Sequence, residues 1–197
     1  MTNITAKQIA EFRAKTGLPM MECKKALTET NGDEEKALEF LRKKGITKAA
    51  EKSERTTKAG LVESYIHNGG RIGVLVEVLS ETDFVAKNEE FKSFVHDIAL
   101  HIAAVNPKYV SKEEVPAEKI AEEKKILEEQ VAGGNKPAEI VEKIISGKLE
   151  KYYSEICLLN QPYVKDPDIT VGELLANKIQ KIGENIVISR FVRFEIT

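Results

Sequence analysis

At residue 61 the apolar residues change period, and that change limits the folds open to this chain. Before it, apolar positions recur at helical spacing. After it come two runs rich in β-branched residues, 61–67 and 71–79, separated by Asn68-Gly69-Gly70. Asn and Gly tolerate positive φ, so this tripeptide between two such runs predicts a β-hairpin. A third strand is expected at 186–196. In the second run Ile72, Val74, Val76 and Val78 point one way, and Leu75 and Leu79 the other. In the last, Ile186, Ile188, Val192 and Phe194 alternate with Val187 and Phe191. A sheet with one wet face shows cleaner alternation. Both faces are therefore expected to be covered, either by the chain's own helices alone or by helices on one side and a partner or second copy on the other.

The first 45 residues read as three short helices. Thr5 caps the first, which carries Ile9 and Phe12, and Gly17 ends it. Pro19 suits the first turn of the second, which runs through Met20, Met21, Cys23, Ala26 and Leu27 to Asn31-Gly32. Asp33 caps the third, with Ala37, Leu38 and Leu41 inward and Gly45 as its stop. Residues 46–59 are rich in Lys, Glu, Ser and Thr and bury little, which suggests a linker, partly helical.

Four helical segments are expected between the hairpin and the last strand. Asn88 caps the first, whose stripe is Phe91, Phe94, Val95, Ile98 and Ile102. Pro116 opens the second, which ends at Gly133-Gly134. Pro137 opens the third, which carries Ile140, Val141, Ile144, Ile145, Leu149, Tyr152 and Ile156, with Gly147 as a weak point or kink. A loop with Pro162 and Pro167 follows. Thr170 and Glu173 have capping-box spacing for the fourth, which carries Leu174, Leu175, Ile179 and Ile182 and stops at Gly183. The expected fold is α+β: a helical module at 1–45, a linker at 46–59, and a core at 60–197 with a three-stranded antiparallel sheet packed with helices.

Several chemistries are disfavoured. The 30 basic and 32 acidic residues give a net charge of −2 and are interleaved, as in Glu122-Glu123-Lys124-Lys125. Direct nucleic-acid binding would need a concentrated basic excess. Cys23 and Cys157 lie far apart with no CxxC pair, which suggests two buried, reduced thiols, a reducing compartment and a cytoplasmic location. The start of the chain lacks a signal pattern, and the apolar run 72–79 is too short to span a bilayer and contains Glu77. Gly69-Gly70 lies in a hairpin and not before a helix, and Gly133-Gly134 follows one, so neither reads as a phosphate loop. His96 and His101 are five apart, whereas helical zinc pairs prefer four. His96 reads as partly exposed and His101 as half-buried. No nucleophile elbow is present, so no metal, cofactor or enzymatic reaction is expected.

Residues 81–88 join the hairpin to the first long helix, and their unusual member is Phe84, in a turn where polar residues are the rule. Phe84 either staples the strand end to the helix as core or projects into a partner's pocket. Asp83 either caps backbone N–H groups or reaches the same partner.

The stretch Thr82-Asp83-Phe84-Val85-Ala86-Lys87-Asn88, followed by Phe91, resembles the signature of the elongation factor Ts family. So do Arg13, Thr16-Gly17, Met20-Met21, Cys23-Lys24-Lys25-Ala26-Leu27, Asn31-Gly32-Asp33 and Leu41-Arg42. Gly73-Val74-Leu75-Val76-Glu77, Gln161-Pro162-Tyr163-Val164-Lys165-Asp166-Pro167 and Ile182-Gly183-Glu184-Asn185-Ile186 extend the match through the chain. Leu18-Pro19 departs from the Ala-Gly of many members and should stiffen the turn.

The resemblance implies a guanine-nucleotide exchange factor for elongation factor Tu, the GTPase that delivers aminoacyl-tRNA to the ribosome. It implies a ubiquitin-associated-like (UBA-like) N-terminal module that docks on the nucleotide-binding domain through positions matching Met20 and Met21. The turn Thr82, Asp83, Phe84 and Val85 would enter near the GTPase's magnesium site, and His67 would approach another of its domains. Longer members duplicate the sheet-and-helix core; in short ones a second subunit supplies it, so a homodimer is expected.

Overall fold

The computed structural model of the chain describes residues 4–131 and 137–196. The helices are α1 (Ala6–Thr16), α2 (Met20–Glu29), α3 (Glu34–Lys52), α4 (Asp83–Ala86), α5 (Glu89–Val105), α6 (Ala117–Val131), α7 (Ala138–Ile156) and α8 (Val171–Ile182). The strands are β1 (Ala59–His67), β2 (Ile72–Ser80), β3 (Pro162–Tyr163), β4 (Asp166–Thr170) and β5 (Ile186–Glu195). The fold is α+β, with an antiparallel three-stranded sheet in the order β1-β2-β5. The chain divides into two compact units: Met1–Leu61, Val78–Lys92 and Glu173–Val187 form one, and Val62–Glu77, Ser93–Gly172 and Ile188–Thr197 the other.

In the first unit, local chemistry sets the helix ends. The Thr5 hydroxyl accepts the Gln8 N–H at 3.3 Å while the Gln8 side chain accepts the Thr5 N–H at 2.9 Å, a reciprocal cap. Gly17 closes α1, Pro19 precedes α2, and Asp33 Oδ1 accepts the Lys36 N–H at 3.1 Å. Ile9, Phe12, Leu18, Cys23, Ala26, Leu27, Ala37 and Leu41 form a small core, with Ile4 and Phe40 against it. Leu38, expected inward, is exposed, because the inward stripe of α3 passes through Ala37 and Leu41 instead.

Gly45 does not end α3, which continues to Lys52 through part of the expected linker. A Cβ at Gly45 would lie 2.8 Å from Gln180 Oε1 and 3.4 Å from Asn177 Oδ1, both on α8. The glycine therefore serves close approach between helices. Its helical cost of about 1 kcal/mol is too small to stop a helix that packing supports.

In the second unit, His96 on α5 meets Glu63 of β1 at 3.0 Å, and Arg193 of β5 donates to the Ala103 carbonyl at 3.2 Å. These bonds lay α5 along one face of the sheet. Phe94, Val95, Ile98 and Ile102 are fully buried on that helix, as are Val74 and Val76 on β2. On the opposite face Val62, Ile66, Leu75, Val192 and Phe194 stand exposed. Among the described residues the chain's helices thus cover one face. The parity expected for β5 fails: Ile186 and Ile188 are buried, whereas Val192 and Phe194 are not. Arg190 pairs with Glu77 at 3.0 Å, and the Arg193 side chain is the one turned toward α5, where a helix C-terminus attracts cations.

The 162–170 segment, expected as a loop, forms a ribbon with Pro162 opposite Thr170 and Tyr163 opposite Asp166. Tyr163 and Ile169 give it a buried side. α7 runs unbroken through Gly147, and the stop expected for α6 at Gly133-Gly134 lies outside the described residues. Val115, Tyr153 and Cys157 pack with Tyr109, Ile120, Leu149, Tyr152 and Ile156 at the base of the α6–α7 pair. Both cysteines are buried and free, and burial pushes the Cys157 thiol up to about 11, which keeps it protonated and unreactive. His101 is completely buried, not half-buried. Among the described residues no helix is long and apolar enough to cross a membrane, and no cluster of three or more His, Cys, Asp or Glu side chains could hold a metal.

Candidate docking site

After β2 ends at Ser80, Thr82 takes an extended backbone and caps α4, its hydroxyl accepting the Val85 N–H at 3.4 Å. The cap is thus Thr82 and not Asp83, which stands exposed in the first turn. Because successive helical residues point about 100° apart, one turn can bury some side chains and present another. Val85 and Ala86 are buried here, while Phe84 is 84% exposed. The staple reading of Phe84 therefore fails: the ring contributes little to the core. The next helix starts where Asn88 Oδ1 accepts the Glu90 N–H at 2.7 Å, as its spacing predicted.

Beside Phe84 lies a cleft of about 560 Å³ whose apolar lining includes Leu18, Pro19, Val85 and Ile182. Met20 and Met21 follow Pro19 directly and are 50% and 71% exposed. They are surface residues, so the first turn of α2 and the Phe84 turn both display apolar side chains next to one cleft. Its polar lining includes Glu90, which receives Lys181 at 2.6 Å and Lys178 at 3.0 Å. Burial opposes ionisation of Glu90, yet the two ammonium groups hold its carboxyl below the ordinary range. The Lys181 Nζ lies 3.0 Å from where a Cβ on Gly17 would be, so this lysine reaches over the α1–α2 turn. Arg13 also lines the cleft and makes no ion pair among the described residues.

The turn is held from a distant segment. Glu184 accepts the Thr82 N–H at 3.1 Å and the Thr82 hydroxyl at 2.8 Å. Glu81 accepts the Asn185 N–H at 2.6 Å. Sequence reasoning singled out neither Glu184 nor Asn185 for the site. The available signal was two polar residues directly after the Gly183 stop of α8.

His67 belongs to the second unit. Its ring stacks on Tyr65 with centroids 5.8 Å apart, and Tyr65 Oη lies 3.1 Å from its Nδ1. His96 meets Tyr65 edge-on at 5.6 Å. Leu100, Ala103 and Ala104 complete a small apolar pocket of about 140 Å³ beside this group.

Fold and site together define an α+β protein that displays apolar side chains from braced turns. Residues 93–196 match the family model described as Elongation factor TS. The chain is 59% identical over 192 residues to Elongation factor Ts of Acetivibrio thermocellus, covering 98% of this chain and 89% of that protein. It is 57% identical over 192 residues to the protein of the same name from Caldanaerobacter subterraneus subsp. tengcongensis, covering 98% and 96%. With that of Moorella thermoacetica it shares 55% over 193 residues, covering 98% and 95%. The chain belongs to the elongation factor Ts family of translation elongation factors.

Proposed function

We propose that this chain promotes GDP release from elongation factor Tu, and the observation that carries the reading is the exposure of Phe84 on a braced turn. GDP is retained on such a GTPase because backbone N–H groups cradle its phosphates and Mg²⁺ bridges protein to phosphate. The factor makes and breaks no covalent bond. It stabilises a GTPase conformation in which those contacts are lost, and the weakening of GDP and factor binding is reciprocal. Phe84 wedges between GTPase elements while Asp83 displaces groups that position the metal. Thr82 and Val85 shape the turn that does so.

Magnitudes divide the work. Each tenfold loosening of GDP takes about 1.4 kcal/mol of differential binding. Burying a Phe side chain supplies roughly 1.5–3 kcal/mol. One ring accounts for one or two decades, and the rest comes from docking elsewhere. Met20 and Met21 offer adaptable apolar contact to the nucleotide-binding domain, from a UBA-like module at 1–45 joined by 46–59 to the 60–197 core. His67 approaches another domain of the GTPase. The exposed face carrying Val62, Ile66, Leu75, Val192 and Phe194 is covered by a second copy, giving a homodimer that binds one GTPase per subunit. The site of action is the cytoplasm, with no direct nucleic-acid contact.

The test is release of fluorescent GDP from elongation factor Tu against excess unlabelled GDP. Acceleration by substoichiometric amounts of this protein supports the reading, and no acceleration with the cognate GTPase overturns it.

A further inference from the structure

Two segments 102 residues apart in sequence exchange backbone bonds through paired carboxylates. The Thr82 N–H donates to Glu184, and the Asn185 N–H donates to Glu81. Each segment thus supplies the glutamate that holds the other's main chain. The Thr82 hydroxyl also donates to Glu184, and this fixes its rotor. With its proton committed there, its lone pairs face the Val85 N–H and cap α4. The chain of bonds runs from Val85 through Thr82 to Glu184 in one direction.

The Glu184 end is itself anchored. Lys52 donates to the Gly183 carbonyl. Asn185, fully enclosed, donates through Nδ2 to the carbonyls of Arg55 at 2.9 Å and Ser53 at 3.4 Å. A carboxylate fixed this way restrains a four-residue helix far too short to persist alone.

We infer that Glu184 is a positioning residue: by gripping Thr82 it holds α4 formed and keeps the Phe84 ring projected before any partner arrives. Resting on the exchange reading above, this assigns Glu184 to the rate of nucleotide release and not to the strength of docking. The turn inserts only after the docking surfaces have met, so its ordering entropy falls on the release step, and a turn ordered in advance spares it there. The bracket also explains why an exposed aromatic does not fold back onto its own surface: its backbone is held on both sides, at Thr82 and at the buried Val85-Ala86.

Two measurements test it on Glu184→Ala, with Glu184→Gln as the variant that keeps the shape. The first needs no GTPase: amide hydrogen exchange at Thr82 and Val85 in the free protein, with buried amides of α5 as reference. Exchange at both positions should rise roughly tenfold or more, the scale of one charge-assisted hydrogen bond, while the reference amides stay unchanged. Glu184→Gln, which retains an acceptor oxygen, should fall between. Unchanged exchange at Thr82 and Val85 overturns the proposal, and so does a parallel rise in the reference amides, which would mark general destabilisation.

The second is the maximal rate of GDP release at saturating factor, in the wild-type and Phe84→Ala backgrounds. Glu184→Ala should slow release about tenfold in the first and have no further effect in the second. Equal losses in both backgrounds overturn action through Phe84 and point to direct contact. If the unsubstituted protein fails to accelerate release, the exchange reading falls, while the amide measurement still decides whether Glu184 holds the turn.

Discussion

The imidazole Nδ1 of His101 accepts the backbone N–H of Val164 at 3.2 Å, a bond that only the unprotonated nitrogen can make. The other ring nitrogen lies 3.0 Å from Gln161 Oε1, and the Gln161 amide donates to the Glu155 carbonyl. The neutral tautomer with its proton on Nε2 satisfies both partners. It ties α5 to the end of α7 and to the β3–β4 ribbon.

The first prediction follows from that tautomer. Burial holds His101 below its ordinary pKa, with the Gln161 bond opposing only in part. The unfolded chain therefore takes up a proton near pH 6.5 that the native state refuses. Stability is full above that pH and falls as the pH drops below it, by at most about 1.4 kcal/mol per unit. Urea denaturation at pH 7.5 and 5.5 should show this fall, and His101→Gln should lessen it while costing stability at pH 7.5. An identical pH slope in both proteins contradicts the prediction.

Phe84→Ala separates presentation from packing. The ring is exposed, so the change should alter unfolding free energy by no more than about 0.5 kcal/mol. GDP release should slow by one to two decades, from about 1.5–3 kcal/mol of lost burial in the complex. A large drop in thermal midpoint would place the ring in the core instead.

Gln180 is buried against α3, and among the described residues neither its Nε2 nor its Oε1 has a hydrogen-bond partner. An unmet buried amide costs roughly 1–3 kcal/mol. Gln180→Met keeps the length and removes the polar atoms, so it should stabilise the protein by about 1 kcal/mol in chemical denaturation. Destabilisation would mean that the amide is satisfied in solution.

The exposed sheet face predicts the outcome of Leu75→Asp. If a second copy covers that face, a charge placed there is buried without a partner in the dimer. Sedimentation at micromolar concentration should show a dimer for the unsubstituted protein and a monomer for the variant, with the monomer still folded. A variant that sediments as a dimer, or a monomeric parent, removes this face from the assembly.

Much of the architecture was legible because short-range chemistry decides it. Thr5 and Gly17 bound α1, Asp33 and Asn88 cap their helices, and Asn68, Gly69 and Gly70 all take positive φ at the hairpin. The Phe84 turn was legible as an anomaly, an aromatic in a polar setting, and Met20 and Met21 were singled out through resemblance. Their exposure was not, since the same residues suit a core equally well by composition.

The sequence alone determined the order of the long helices and of the three sheet strands, most of their ends and the family, because caps, turn φ values and side-chain periodicity depend on neighbours within a few residues. The tertiary structure alone decided what depends on segments far apart. It carried α3 through Gly45 because α8 approaches there. It turned Arg193 of β5 toward α5 because a helix carbonyl waits on that side. It buried His101 beneath a ribbon that turn residues had marked as loop. And it projected Phe84 from a turn gripped by Glu184, a bond whose two ends no local pattern connects.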